Sequence, residues 1–130
     1  MWVKENLDLS AMRRASSYLI GENDFSSFRS SSCQSKTPYR NIHSIEVKKK
    51  GDLISIEITA NAFLLNMVRI IIGTLLEVGT KKIVPKRVKH ILEAKDRRLA
   101  GKTSSSKGLY FVGTKYLTKY KVPPTLKPVV

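Results

Sequence analysis

A chain of 130 residues is long enough for one domain with a hydrophobic core and too short for two. Its 24 Lys and Arg against 10 Asp and Glu give a formal charge of +14, which indicates a polyanionic partner: RNA, DNA or an anionic membrane. The single cysteine, Cys33, excludes an intrachain disulfide and is typical of a reducing cytosol, so we expect a cytoplasmic protein without a signal peptide. Charges interrupt the most apolar stretch, residues 62–78, and this argues against a membrane span.

The first predicted element is a helix that begins after Asp8, a good N-cap residue. Met12, Ala15 and Leu19 recur on one face of that helix, which predicts that this face is buried. Gly21 is expected to end the helix as a left-handed C-cap. The polar, serine-rich run that follows, residues 30–36, is typical of an exposed loop.

A β-hairpin is predicted next. Apolar residues alternate with polar ones in two runs, and the residues between the runs, 49–52, favour a turn. The apolar positions of the two runs are Ile45, Val47, Ile54, Ile56 and Ile58. This alternation predicts a sheet with one buried face and one wetter face.

Two further helices and a last strand complete the predicted fold. Residues 62–78 are apolar almost all the way round, so this helix should lie in the core and end at Gly79. A third helix should begin near Pro85 and bury Val88, Ile91 and Leu92. The run 108–112 is apolar on both faces, which is typical of a central strand. The fold class expected from this order is α+β, an antiparallel sheet with helices packed on one face.

Arg69 is the residue that most needs explanation, because a permanently charged guanidinium in an apolar helix is costly unless it is paired. One interpretation is a structural ion pair with an acid of this chain, such as Asp24. The other is that Arg69 orients a catalytic acid or binds a phosphate. The sequence alone leaves both open.

Candidate RNA contacts cluster in one segment, where small polar groups and an amide lie among cations. These residues are Arg29, Ser32, Cys33, Gln34, Ser35, Lys36 and Arg40. Groups of this kind hydrogen-bond phosphates, sugars and 2′-hydroxyls, although the same composition also suits a solvated linker. Zinc-type Cys/His spacing and a Gly-rich phosphate loop are both missing from the sequence.

Three stretches of the sequence carry distinctive motifs: GENDFSSFR at residues 21–29, CQSKTP at residues 33–38 and FLLNMVRIIIGTL at residues 63–75. Together they resemble the TruA family of tRNA pseudouridine synthases. Residues 21–29 resemble its G-x-x-D-F-x-x-F-R segment, and residues 33–38 resemble the loop that follows. Residues 63–75 resemble its F-L-x-x-M-V-R-x-x-x-G-x-L helix, with Asp96-Arg97 and Gly108-Leu109-Tyr110 next in order. The resemblance runs from about Leu7 to Tyr120.

The resemblance implies an enzyme that isomerises uridine to pseudouridine at positions 38–40 in the anticodon arm of tRNA, as a homodimer and without cofactor or metal. It implies that Arg69 pairs with a nucleophilic aspartate, that Leu109 lines the uracil pocket, and that the loop 32–36 contacts tRNA. The aspartate belongs to a G-R-T-D-x-G-V-H segment of the family's amino-terminal half, and this sequence contains no such segment. The chain departs from the family at Leu65 and Asn66, where a basic residue is common before the methionine.

The leading hypothesis is therefore a carboxy-terminal domain, residues 1–120, followed by an irregular Pro-rich tail, residues 121–130. Its expected partners are the tRNA anticodon arm and the amino-terminal half of the same enzyme, and the chain alone should be inactive. The alternative is a stand-alone basic RNA-binding module without catalysis. A membrane-surface protein has little support, because no predicted helix is clearly amphipathic and basic.

Overall fold

The computed structural model of the chain describes residues 7–30, 36–50, 53–64, 66–104, 109–112 and 117–121. Its three helices are α1 (Leu9–Ser17), α2 (Met67–Gly79) and α3 (Lys86–Ala94). Its strands are β1 (Gly21–Asp24), β2 (Tyr39–Lys50), β3 (Leu53–Ala60), β4 (Leu109–Val112) and β5 (Leu117–Lys121). Two short 3₁₀ turns lie at Ser26–Phe28 and Arg97–Leu99.

The five strands form one antiparallel sheet in the order β1-β2-β3-β5-β4. Helix α1 packs against α2, α3 and β2, so the helices and the inward face of the sheet enclose a single core. The predicted α+β fold class is confirmed.

A β-bulge explains how β2 keeps its apolar residues on one face. Ile42 pairs with Ala60 and Ser44 pairs with Thr59, so His43 is the extra residue in β2. The bulge shifts the alternation by one residue, and Ile42 and Ile45 therefore both reach the core although they are three positions apart. His43 itself is exposed.

Local patterns predicted α1 and the β2–β3 hairpin well. The Asp8 carboxylate accepts a hydrogen bond from the Ala11 amide (3.0 Å), which confirms the N-cap. Lys50 pairs with Leu53, which confirms that β2 and β3 form the predicted antiparallel pair, while residues 51 and 52 of the predicted turn lie outside the described residues. The predicted role of Gly21 is wrong: α1 ends at Ser17, and Gly21, with a φ of 98°, opens β1 instead.

Helix α2 begins five residues later than predicted. Asn66 has a φ of 61°, a left-handed conformation that cannot continue into an α-helix from the preceding residues. The helix therefore starts at Met67, and Thr80 rather than Gly79 is its C-cap. Most of its residues are buried, which confirms that it lies in the core. Within the described ranges, no helix is both long and apolar enough to cross a membrane.

Helix α3 follows Pro85 and buries Val88, Ile91 and Leu92, as predicted. The last strand does not match its prediction. Among the described strands β4 has one hydrogen-bonded neighbour, β5, so it lies at the edge of the sheet and not at its centre. Strand β5 was not predicted at all, and its last residue, Lys121, falls in the predicted tail, of which residues 122–130 lie outside the described residues.

Candidate functional site

Arg69 lies in the first turn of α2 and is half-buried. Its Nε donates to the Ser104 carbonyl (2.8 Å), and its Nη1 donates to Oδ1 of Asn66 (3.3 Å). These two acceptors are neutral, and none of the salt bridges between described residues includes Arg69. The guanidinium is therefore held in place without an ion pair to any carboxylate in the described part of the chain.

The structure excludes the ion pair with Asp24 considered from the sequence. One carboxylate oxygen of Asp24 accepts from the Ser26 amide (2.8 Å) and hydroxyl, and the other lies 3.9 Å from the Lys95 ammonium. Asp24 thus stabilises the 3₁₀ turn at Ser26–Phe28 and the end of α3, and it forms no ion pair with Arg69.

The segment 101–104 is fixed to α2 by hydrogen bonds at Arg69 and one turn further along the helix. The Ser104 amide donates to the Arg69 carbonyl (3.0 Å), so these two residues are joined twice. One turn further along, the Gly101 amide donates to the Thr74 hydroxyl (2.9 Å), which in turn donates to the Ile70 carbonyl (2.9 Å). The segment therefore lies directly against the helix.

Two glycines allow this close approach. A Cβ on Gly73 would lie 1.8 Å from the Lys102 carbonyl oxygen, far inside van der Waals contact. A Cβ on Gly101 would lie 2.9 Å from the backbone of Gly73 and Thr74. Only glycine at both positions lets the segment reach Arg69.

Leu109, the predicted wall of a uracil pocket, follows the same segment. It opens β4 and pairs with Tyr120 of β5. Four residues lie between Ser104 and Leu109, and the five Cα–Cα steps that join the two span at most about 18 Å. Chain connectivity therefore limits the backbone of Leu109 to within about 18 Å of Ser104, the residue that binds Arg69.

The predicted RNA-binding residues run along the chain from the end of the first 3₁₀ turn to the start of β2. Arg29 caps that turn and is half-buried, whereas Lys36 is exposed. Arg40 is the second residue of β2, and its Nη1 donates to the carbonyls of Thr37 (3.0 Å) and Tyr39 (2.7 Å). Ser32, Cys33, Gln34 and Ser35 lie outside the described residues.

The base of this segment is firmly anchored. The Phe25 amide donates to the Pro38 carbonyl (3.0 Å), and the fully buried rings of Phe25 and Phe28 pack edge to face, 6.2 Å apart. The buried Ser27 hydroxyl donates to the Ile91 carbonyl (2.6 Å) and accepts from the Asp96 amide (2.7 Å). The Asp-Phe-Ser-Ser-Phe motif therefore joins the predicted RNA-binding segment to α3.

Sequence reasoning missed three residues that position Arg69: Asn66, Thr74 and Ser104. Asn66 was noted only as a departure from the family pattern, and its place directly before the helix is a signal for a left-handed turn. Thr74 and Ser104 have no local signal, because their partners are 27 and 35 residues away in sequence.

The shifted pKa values belong to exposed ion pairs on other parts of the chain. Hydrogen bonds from the Arg98 guanidinium lower the pKa of Asp96 below its usual value. On the outer face of the sheet, hydrogen bonds to Glu57 and then Glu46 raise the pKa of Lys48. Both pairs are surface interactions of small energetic weight.

Comparison with known proteins identifies the family of the chain. A family model described as tRNA pseudouridine synthase matches residues 15–117. The tRNA pseudouridine synthase A of Francisella tularensis subsp. novicida (strain U112) is 50% identical over 116 residues, covering 89% of this chain and 45% of that protein. The proteins of the same name from Aliivibrio salmonicida and Aliivibrio fischeri are each 50% identical, over 119 and 117 residues, and again 45% of each is covered.

The chain belongs to the tRNA pseudouridine synthase family, and to its TruA type. It spans less than half the length of the curated relatives that it matches.

Proposed function

We propose that the chain is the carboxy-terminal domain of a tRNA pseudouridine synthase that isomerises uridine to pseudouridine at positions 38–40 in the anticodon arm. Family membership and the 50% identity to proteins named tRNA pseudouridine synthase A support the reaction class. One observation carries the proposal. The guanidinium of Arg69 is fixed by two neutral acceptors, and it forms no ion pair with a described carboxylate.

In this proposal, Arg69 pairs with a nucleophilic aspartate that another segment of the enzyme supplies. Two of its nitrogens are engaged with Ser104 and Asn66, and Nη2 has no hydrogen bond to a described residue. A guanidinium that is already oriented loses little entropy when a carboxylate joins it. The pair would keep the aspartate ionised, because a nearby opposite charge lowers the pKa of a carboxyl group.

The amino-terminal half of the enzyme is the proposed source of that aspartate. Strand β4 supports this, since its sequence, Leu-Tyr-Phe-Val, is apolar throughout while its position is at an edge of the described sheet. Soluble proteins rarely leave an apolar edge strand uncovered. A neighbouring strand from the missing half would make β4 central, as its composition predicts.

The substrate contacts follow from the same arrangement. Arg29, Lys36 and Arg40, with the loop 32–35 between them, would bind the tRNA backbone. A uridine turned out of its stack would rest against an apolar wall that includes Leu109. No cofactor or metal takes part in this proposal, and the active enzyme is a cytoplasmic homodimer.

A tritium-release assay on unmodified tRNA labelled at C5 of uridine tests the proposal. The longer protein that contains this chain should release tritium, and the 130-residue chain alone should release none. Release by the chain alone would contradict the need for an aspartate from another segment.

The alternative, a stand-alone RNA-binding module, predicts a different outcome. It expects salt-sensitive binding of structured RNA and no tritium release from either protein. The same two proteins in one assay therefore decide between the alternatives.

A further inference from the structure

The outward face of α3 and the turn before it form a strongly basic surface. Residues 81–98 contain eight Lys or Arg and two acids, Glu93 and Asp96. Lys86, Lys89 and His90 lie at helical spacings of three and four, so they share one face, and all three are exposed. Lys81 and Lys82 in the preceding turn are exposed as well. We call these five residues, with Arg87, the α3 basic face.

The cations of this face are not engaged by acids of the described chain. The salt bridges among described residues use Lys48, Lys95 and Arg98, and none uses a residue of the α3 basic face. Glu93, one turn beyond His90, is the acid on the same side of the helix. The charge of the face is therefore left for an external anion.

The shape of the surface also suits an extended anion. A shallow groove of about 430 Å³ is lined by Val84, Lys86, Arg87, Lys89, His90 and Glu93. Val84 is 67% exposed, so the groove offers an apolar surface among cations. A sugar–phosphate backbone presents the complementary combination, with charged phosphates separated by less polar sugars.

The opposite face of α3 argues for RNA over a lipid surface. Val88, Ile91 and Leu92 are buried in the core, so the helix has no apolar face left to insert into a membrane. The inner side of α3 is also bonded to the first 3₁₀ turn through Ser27, from which the proposed RNA-binding segment continues.

We propose that the α3 basic face is a second RNA-binding surface, which holds the sugar–phosphate backbone of tRNA independently of its sequence. This inference rests on the proposed function in one respect, namely that the RNA is tRNA. It adds cationic contacts outside the predicted segment 29–40, and it supplies affinity rather than chemistry.

Binding of the 130-residue chain to an unmodified tRNA transcript, measured over a range of salt concentrations, tests this. In the double variant Lys86→Gln/Lys89→Gln, the slope of log K against log salt should become shallower by about two, because each phosphate contact contributes about one. The affinity at low salt should fall by roughly tenfold. Both side chains are exposed, and neither makes an ion pair with a described acid, so the melting temperature should not change.

The matched control is Arg14→Gln/Lys49→Gln, which removes the same charge from exposed positions on α1 and β2. The control should keep the slope and stay within about twofold in affinity. If both double variants lost the same amount of affinity for tRNA, only net charge would matter, and the proposal would be overturned. No change in the α3 variant would overturn it as well.

Two further results separate this proposal from the proposed function. Binding that depends on the α3 face, but goes to vesicles of anionic lipid and not to tRNA, would reject the RNA partner. An α3-dependent tRNA complex, in a longer protein that releases no tritium, would reject the synthase activity and leave the RNA surface standing.

Discussion

Helices α2 and α3 hold their cations in opposite ways. In α2 the cation Arg69 is half-buried, and a backbone carbonyl and an asparagine side chain fix it in place. In α3 the cations Lys86 and Lys89 are exposed, and no described acid pairs with either. A fixed guanidinium can orient one reacting group, whereas solvated ammonium groups can follow a backbone of many phosphates.

The two helices also differ in what surrounds them. Helix α2 is buried on nearly every side and has the segment 101–104 packed on its backbone. Helix α3 buries one face and leaves the other to solvent. Substitutions near α2 should therefore affect stability and the placement of Arg69, and substitutions on the outer face of α3 should affect RNA binding alone.

Gly73→Ala should show the largest loss of stability. The new methyl group would meet the Lys102 carbonyl oxygen at 1.8 Å, so the segment 101–104 would have to leave α2. Overpacking and the loss of the three hydrogen bonds that join the segment to α2 should together lower the free energy of unfolding by about 3 kcal/mol. Chemical denaturation measures this, with Lys89→Ala on α3 as a control expected to stay within about 0.5 kcal/mol. A stable Gly73→Ala variant would show that the segment does not need this close approach.

Ser27→Ala should come next in size. It removes the hydroxyl that serves both the Ile91 carbonyl and the Asp96 amide, and the serine is fully buried. The loss should be about 2 kcal/mol in the free energy of unfolding. Ser17→Ala is the matched control, because that hydroxyl is exposed and donates only to the Arg14 carbonyl. If the two substitutions lowered the free energy of unfolding equally, the hydrogen bonds between α3 and the first 3₁₀ turn would contribute nothing to stability.

Thr74→Val should have a smaller effect, since the side chain keeps its volume and loses one hydroxyl. The buried Gly101 amide would lose its acceptor, at a cost of about 1–2 kcal/mol in the free energy of unfolding. Thr80→Val removes a hydroxyl that only donates to helix carbonyls, so it should cost less than about 0.5 kcal/mol. Thermal denaturation of the two variants checks this difference. A larger loss of stability in Thr80→Val than in Thr74→Val would contradict the role of Thr74 as the acceptor for the Gly101 amide.

The sequence predicted those parts of the fold that depend on neighbours along the chain. Asp8 and the spacing of Met12 and Ala15 predicted α1, and the alternation of apolar residues predicted the hairpin. The predicted start of α2 was wrong because Asn66 adopts a left-handed conformation. The apolar run has helical composition on both sides of Asn66, so its composition does not reveal this interruption. Strand β5 was missed because its place between β3 and β4 depends on pairing with distant residues and not on its own pattern.

The candidate site was predictable to a similar extent. Arg69 was recognisable because a charge in an apolar helix is costly, and its family motif pointed to the same residue. Its anchors, Ser104 and Thr74, act through contacts between distant segments, so no local pattern could identify them. The edge position of β4 likewise follows only from the assembled sheet.

Turnover by the Arg69→Ala variant of the proposed full-length synthase tests the central claim most directly. The account predicts that tritium release becomes undetectable, while the dissociation constant for tRNA stays within about twofold. Arg13→Ala is the matched control, because the Arg13 guanidinium donates to the Val47 carbonyl (2.8 and 3.0 Å) and to no other described residue. The Arg13→Ala variant should keep its turnover. Unchanged tritium release by Arg69→Ala would mean that Arg69 merely fastens the segment 101–104 to α2, and would contradict its role beside the nucleophile.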